Sequence, residues 1–204
     1  MPKAFLDKTY SLTSGEETRA HYDAWAKSYD EELHNNGYAT PVRIAKAMAE
    51  HCRDPDIRLL DYGCGTGLSG EALQLAGFND IDGMDPSEEM IAVARGKGVY
   101  RNLSTFDPAE PSPIAASAYG AITCIGVIGV GAAPPETFDL VMDALPKGGI
   151  LGYSLNDHAL ANPDYEGRLD HWTESNRAKV LFKEYGVHLP GQNLFSNVYI
   201  VEKT

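Results

Sequence analysis

The run Leu59-Leu60-Asp61-Tyr62-Gly63-Cys64-Gly65-Thr66-Gly67-Leu68 limits the possible folds of this chain more than any other stretch. Apolar residues lead in, three glycines alternate, and helix-forming Ser69 to Ala76 leads out. Glycine is required where backbone takes a positive φ or lies against a ligand, since a Cβ would obstruct the approach. The amides at the start of the outgoing helix lack partners within it and face whatever sits above the turn. A strand, a glycine turn and a helix in that order mark the first unit of an open α/β sheet.

The segments that follow repeat the alternation. The strand expected at Ile57 to Leu60 enters the turn, and Ile81 to Met84 reads as a second strand with a helix from Pro86 to Arg95. Tyr100 to Phe106 and Gly120 to Ile128 read as the third and fourth strands. A helix over Glu136 to Leu145, a Gly148-Gly149 turn and a strand over Ile150 to Leu155 complete the series. Alternating strands and helices imply βαβ units and parallel pairing. The carboxyl-terminal part differs. A helix is expected from Asp164 to Ser175, then β-rich Lys179 to Leu189 and Phe195 to Glu202 flank the turn Pro190-Gly191-Gln192-Asn193. The expected architecture is α/β: a doubly wound, mostly parallel, seven-stranded Rossmann-like sheet with an antiparallel hairpin at its carboxyl-terminal edge.

Ahead of the first strand the pattern is helical. Ser14 and Glu17 have capping-box spacing, with Thr13 and Glu16 as an alternative. Tyr22, Trp25, Ala26, Tyr29 and Leu33 then share one face of a helix expected from Ser14 to Leu33, which Asn35-Asn36-Gly37 ends. Thr40 as cap and Pro41 in the first turn begin a second helix to about His51. At 204 residues the chain has room for one core. One domain is expected over 1–204, with residues 1–55 as a helical lid and 56–204 as the α/β core. Asp107 to Ser117, rich in Pro, Ala and Ser, reads as a loop inside it.

A net charge of −12 argues against non-specific binding to nucleic acid or anionic membranes, which draws on a surplus of Lys and Arg. The longest apolar stretch, Ala121 to Pro135, falls short of the roughly 20 residues of a membrane span. Met1 to Leu12 lacks the apolar core of a secretory signal. Cys52, Cys64 and Cys124 form no C-x-x-C and no even framework, which suits free thiols in the cytosol. The six histidines show no zinc-ligand spacing, and no G-x-S-x-G elbow occurs, so no metal is expected and a serine hydrolase is not.

Two acids lie where the topology places a ligand. Asp85 closes the second strand, beside the first at the carboxyl edge of the sheet, where a carboxylate can accept from both hydroxyls of a ribose. A structural alternative stands beside that reading. Asp85-Pro86-Ser87-Glu88 also fits a helix start with Asp85 as cap and Glu88 completing a capping box. Asp107 follows the third strand, within reach of an adenine amino group.

Taken together, these motifs resemble the class I S-adenosylmethionine (SAM)-dependent methyltransferases over nearly the whole chain. Their order is also similar to that of the Williams–Beuren-region methyltransferase-like group. The resemblance carries over the first motif as Asp61-Tyr62-Gly63-Cys64-Gly65-Thr66-Gly67 and the ribose acid as Asp85, with Pro86, Ser87 and Met90 following it. The adenine-side acid is Asp107, next to Pro108, and the loop after the fourth strand includes Cys124, Ile125 and Gly126. Tyr22 and Tyr29 lie on a segment similar to an amino-terminal helix that covers the cofactor. The resemblance implies SAM as cofactor. The acidic charge and the lack of an added recognition domain point to a small-molecule methyl acceptor, and the aromatic face at Tyr22, Trp25 and Tyr29 ahead of the first strand is expected to form a lid that orders when cofactor binds. Two departures are visible: Leu145-Pro146-Lys147-Gly148-Gly149 replaces Leu-Lys-Pro-Gly-Gly, and Val130 stands where relatives often carry a histidine.

Two further readings remain open from sequence. Gly65-Thr66-Gly67-Leu68-Ser69-Gly70 is a literal G-x-G-x-x-G that a nicotinamide-binding domain also carries, although it starts well after the strand. A SAM-binding protein without transfer activity is the other. Asn156, Asp157 and His158 follow the fifth strand, where they either orient or deprotonate an acceptor or form a polar turn. Trp25 reads as a packed residue, and Cys64 as a small residue beside the cofactor. The oligomeric state stays open.

Overall fold

The computed structural model describes residues 5–12, 14–110 and 113–204; the alternative cap at Thr13 lies outside them. In chain order the helices before the sheet are α1 (Phe5–Thr9), α2 (Gly15–Trp25), α3 (Tyr29–Asn35) and α4 (Thr40–His51). The core then runs β1 (Leu59–Tyr62), α5 (Leu68–Leu75), β2 (Ile81–Asp85), α6 (Glu88–Lys97), β3 (Asn102–Thr105) and β4 (Ala121–Cys124). It closes with α7 (Thr137–Ala144), β5 (Ile150–Asn156), α8 (Asp157–Leu160), α9 (Pro163–Glu174), β6 (Ala178–Leu189) and β7 (Leu194–Lys203).

The seven strands form one sheet in the order β3-β2-β1-β4-β5-β7-β6. Strands β1 to β5 pair in parallel, and β7 inserts antiparallel between β5 and β6. The central strands β1 and β4 are buried at every position, as both faces are covered. Successive side chains leave opposite faces. Leu59 therefore packs with Ile44, Met48 and Leu73 under α4 and α5, while Leu60 packs with Phe138, Val141 and Trp172 under α7 and α9. A third cluster joins Leu6, Trp25 and Leu33 of the amino-terminal helices to Leu189 and Leu194 of the hairpin.

Four local expectations change. The single helix over Ser14 to Leu33 is broken: Ser28 leaves helical geometry at φ −113°, ψ 0°, its amide bonds Trp25 O, and its hydroxyl bonds the same carbonyl. A serine that bonds the preceding turn competes with the helix ladder. The break turns Trp25 into the third cluster and Tyr29 against it, ring centroids 4.6 Å apart. Ser14 does cap α2, accepting from the Glu17 amide. Thr40 is the first residue of α4 and not its cap, because its hydroxyl pairs with His188 Nδ1 at 2.7 Å. Strand β4 stops at Cys124, where the chain enters a loop with Gly126 at φ +71°. Finally, the helix after β2 begins at Glu88 with Ser87 as its cap, its hydroxyl accepting from the Met90 amide at 3.1 Å.

Candidate active site

The glycine turn is built from beneath. Asp61 is fully buried on β1 and accepts from the hydroxyls of Ser69, Tyr100 and Thr123 at 2.5, 2.8 and 2.9 Å. Those bonds tie the strand before the turn to the helix after it and to β4. Burial raises the Asp61 carboxyl, and the three hydroxyls draw it back down. Asp61 thus supports the turn from below through these three bonds, and it lines neither of the two cavities bounded by Tyr29 and Tyr38. The Gly63 and Cys64 amides both bond Met84 O, which hangs the turn on the end of β2.

Gly63 and Gly65 serve different ends. Gly63 sits at φ +73° against β4's loop, and a Cβ there would lie 2.4 Å from Val127 Cγ2. Gly65, at φ +54°, faces open space with nothing within 4 Å of where its Cβ would be. That vacancy is the cradle that a side chain would fill. Gly67, also at positive φ, is the residue from which α5 starts.

Asp85 is the acid that holds the turn at Gly65. With Ser87 as the cap of α6, the Asp85 carboxylate is released from capping and accepts from the amides of Gly65 and Ser87, both at 2.9 Å. Burial pushes its carboxyl up to about 6, the two amides pull it down, and Asp61 and Asp23 push it up again. A buried acid raised this far above its usual value near 3.9 carries a penalty on the order of 3 kcal/mol when ionised. The sign is that of a raised acid: the stability it contributes is present below about pH 4 and is lost as pH rises through about 6. Urea midpoints of wild type and Asp85→Asn, compared between pH 4.5 and 7.5, should therefore shift in the variant's favour as pH rises. A pH-independent difference would show that this carboxyl does not titrate there.

Two cavities share the rings of Tyr29 and Tyr38. The smaller, ≈ 20 Å³, is floored by Gly63, Cys64, Gly65 and Thr66 and roofed by Tyr29 and Tyr38. The larger, ≈ 50 Å³, has Tyr10, Tyr22, Trp25, Asn156 and His188 around it and shares Tyr29 and Tyr38 with the smaller. Gly126 lines the larger, with the Tyr38 hydroxyl so close that a Cβ would sit 2.4 Å from it. Burial raises the phenols of Tyr22, Tyr29 and Tyr38, and that of Tyr10 to about 12, so all four stay protonated at neutral pH.

The remaining expected residues are spread unevenly. Tyr29, Thr66 and Ile125 line the smaller cavity with the glycines, and Tyr22 lines the larger one. Ser87 and Met90 form the helix start behind Asp85, with Pro86 between. Cys124 is fully buried in the core cluster on one face of the sheet and lines neither cavity. Asp107 lies two residues beyond β3, exposed, its carboxylate accepting from the Ala109 amide; neither it nor Pro108 lines a cavity. Asn156 caps α8, and the Asp157 oxygens accept from the Tyr185 hydroxyl and the Phe195 amide. His158 is exposed and stacks on Tyr10 at 4.1 Å. Asp157 and His158 lie in the first turn of α8, and of the three residues Asn156 alone lines the larger cavity. Sequence reasoning missed Tyr38 and His188, which carry no motif: one follows a turn, the other sits in an alternating strand.

Helices α2 and α3 close over the turn. Ser87 donates to Asp23 and Thr66 to Asp30, each at 2.5 Å, and Lys97 pairs with the other Asp30 oxygen at 2.8 Å. A space of ≈ 20 Å³ holds about one water. A nucleoside needs more room than this, which displacement of α2 and α3 would give. Hydrogen exchange over residues 15–35 should slow on addition of S-adenosylhomocysteine; equal protection with and without it would show that the segment is no lid.

Among the described residues no group of His, Cys, Asp and Glu could hold a metal ion, and no helix is long and apolar enough to cross a membrane. The antiparallel β7 between β5 and β6 separates this sheet from the all-parallel 3-2-1-4-5-6 order of dinucleotide-binding domains. The methyltransferase-domain family profile matches residues 29–193. Human methyltransferase-like protein 27 is 30% identical over 116 residues, 55% of this chain and 47% of its own length. The ubiquinone biosynthesis O-methyltransferase of Rhizobium johnstonii is 35% identical over 114 residues, 50% of this chain and 39% of its own. In structure, the SAM-dependent methyltransferase of Geobacter sulfurreducens, solved with S-adenosyl-L-homocysteine, superposes with a TM-score of 0.56 at 14% identity, covering 79% of this chain and 91% of that one. The chain belongs to the methyltransferase-domain family, with the fold and glycine turn of the class I SAM-dependent methyltransferases. It spans about half the length or less of the two curated relatives.

Proposed function

We propose that the chain transfers a methyl group from SAM to a small-molecule acceptor. The observation that carries this reading is the shared wall: Tyr29 and Tyr38 bound both the cavity over the glycine turn and the larger cavity beside it. Donor and acceptor seated in these two spaces meet across one pair of rings. The residues fit the cofactor, with open space over Gly65 and a buried acid at Asp85 for paired hydroxyls. SAM supplies an electrophilic methyl on a sulfonium whose departure as a neutral thioether needs no protein acid.

What remains for the protein is alignment and exclusion of water. The lid does both, since Tyr22, Trp25 and Tyr29 come from α2 and α3 and form the cavity wall. Among the described residues no Lys, Arg, Asp or Glu lines the larger cavity, which favours an uncharged acceptor over a phosphorylated one. The net charge of −12 and the name of the Rhizobium relative support a small molecule over a nucleic acid. The test is incubation with methyl-labelled SAM and a metabolite extract, read by mass spectrometry. Label in a small product supports the reading; SAM bound but never converted to S-adenosylhomocysteine would contradict it.

A further inference from the structure

The larger cavity is walled by hydrogen-bond donors that have no acceptor among the described residues. Trp25 is 1% exposed, and its indole N–H lacks a partner. The phenols of Tyr22, Tyr29 and Tyr38 remain protonated, and no hydrogen bond joins them to the described residues. His188, 5% exposed at the end of β6, completes the wall with a ring that burial keeps neutral at physiological pH.

A chain of hydroxyls sets which nitrogen of His188 carries the proton. Arg43 Nη1 donates to Ser196 Oγ at 3.1 Å, so that oxygen accepts there. Ser196 and Thr40 are both fully buried, and the proton of Ser196 has one oxygen in reach, Thr40 Oγ1 at 3.2 Å. Thr40 then spends its own proton on His188 Nδ1 at 2.7 Å. The reverse order would strand the Ser196 proton without an acceptor in a buried site, an arrangement that costs stability. With Nδ1 accepting, the proton of the neutral ring resides on Nε2, which has no partner among the described residues.

We infer that His188, oriented by Arg43, Ser196 and Thr40, is a positioning residue whose Nε2–H reads an oxygen of the methyl acceptor. The acceptor is a flat, mainly apolar aromatic molecule that bears a hydrogen-bond-accepting oxygen beside the nucleophilic atom that takes the methyl. The aromatic walls take the ring, and the convergent donors take the oxygen. This rests on the methyltransferase reading above, and with the lid closed the space is ≈ 50 Å³, so the acceptor enters by the opening that admits the cofactor.

The test uses protein labelled with 15N in its histidine rings and saturated with S-adenosylhomocysteine, His188 being assigned by its loss in His188→Gln. Long-range proton–nitrogen spectra should show His188 neutral and protonated on Nε2. Thr40→Val, which removes the Nδ1 partner, should abolish that preference. Acetophenone should perturb the Nε2 signal, isopropylbenzene, the same shape without the oxygen, should not, and His188→Phe should weaken acetophenone binding about fivefold. A ring protonated on Nδ1, or equal responses to the two probes, would overturn the inference while leaving the cofactor reading intact. Failure to bind S-adenosylhomocysteine in calorimetry would instead remove the reading on which it rests.

Discussion

Replacing Asp85 by Asn should lower affinity for S-adenosylhomocysteine by one to two powers of ten in a protein that still folds. The carboxylate already accepts one backbone amide on each oxygen, from Gly65 and Ser87. The ionised group keeps two further lone-pair sites for the paired hydroxyls of a ribose. Asn retains one accepting oxygen and turns an amide group toward the N–H that faced the other. It loses charge-assisted bonds worth roughly 1.5–3 kcal/mol each, at about 1.4 kcal/mol per tenfold in affinity. Folding changes less, because the mismatched N–H is offset by removal of a buried charge that burial pushes up to about 6. Calorimetry and a thermal melt on one sample separate the two effects. Near-wild-type affinity would mean that Asp85 holds the Gly65 amide and nothing else.

Gly65→Val should reduce cofactor binding by a factor of at least about a hundred. Its backbone sits at φ +54°, where a branched residue is strained by on the order of 1–3 kcal/mol. The larger effect is steric, as the valine methyls would occupy the space over the turn in which no protein atom lies within 4 Å. Gly63→Ala makes the contrast, because its Cβ would strike Val127 at 2.4 Å and disturb the packing of the turn itself. Gly65→Val is therefore expected to fold with a lowered melting point and not to bind, whereas Gly63→Ala is expected to lose stability first. Unchanged binding by folded Gly65→Val would remove the turn from the site.

Much of this fold was legible in the sequence because its signals are local and repeated. The glycine turn, the alternation of strands and helices and the carboxyl-terminal hairpin all follow from side-chain period and turn residues. Misreadings arose where two residues compete for one role. Asp85 and Ser87 both suit a helix cap, and only the path of the chain decides for Ser87, freeing Asp85 for the Gly65 amide. Thr40 reads as a cap from its neighbours, yet its partner His188 is 148 residues away. The helical stripe through Tyr22, Trp25, Tyr29 and Leu33 is unbroken in sequence, so the bend at Ser28 leaves no trace in it. The support that Asp61 gives the turn is not legible either, because its three hydroxyl partners come from elements far apart in sequence. The aromatic walls of the larger cavity were half visible: Tyr22, Trp25 and Tyr29 share a stripe, whereas Tyr10, Tyr38 and His188 meet them only through the tertiary fold.

The central claim is that the space over Gly65, whose amide Asp85 holds, is a SAM site and not a dinucleotide site. Isothermal titration of the wild-type chain with S-adenosylhomocysteine and, separately, with NADH tests it most directly. The account predicts saturable one-to-one heat with S-adenosylhomocysteine, proton uptake by the buffer near pH 6 as Asp85 ionises on binding, and no heat with NADH. Saturable binding of NADH, or no binding of S-adenosylhomocysteine by folded protein, would contradict it.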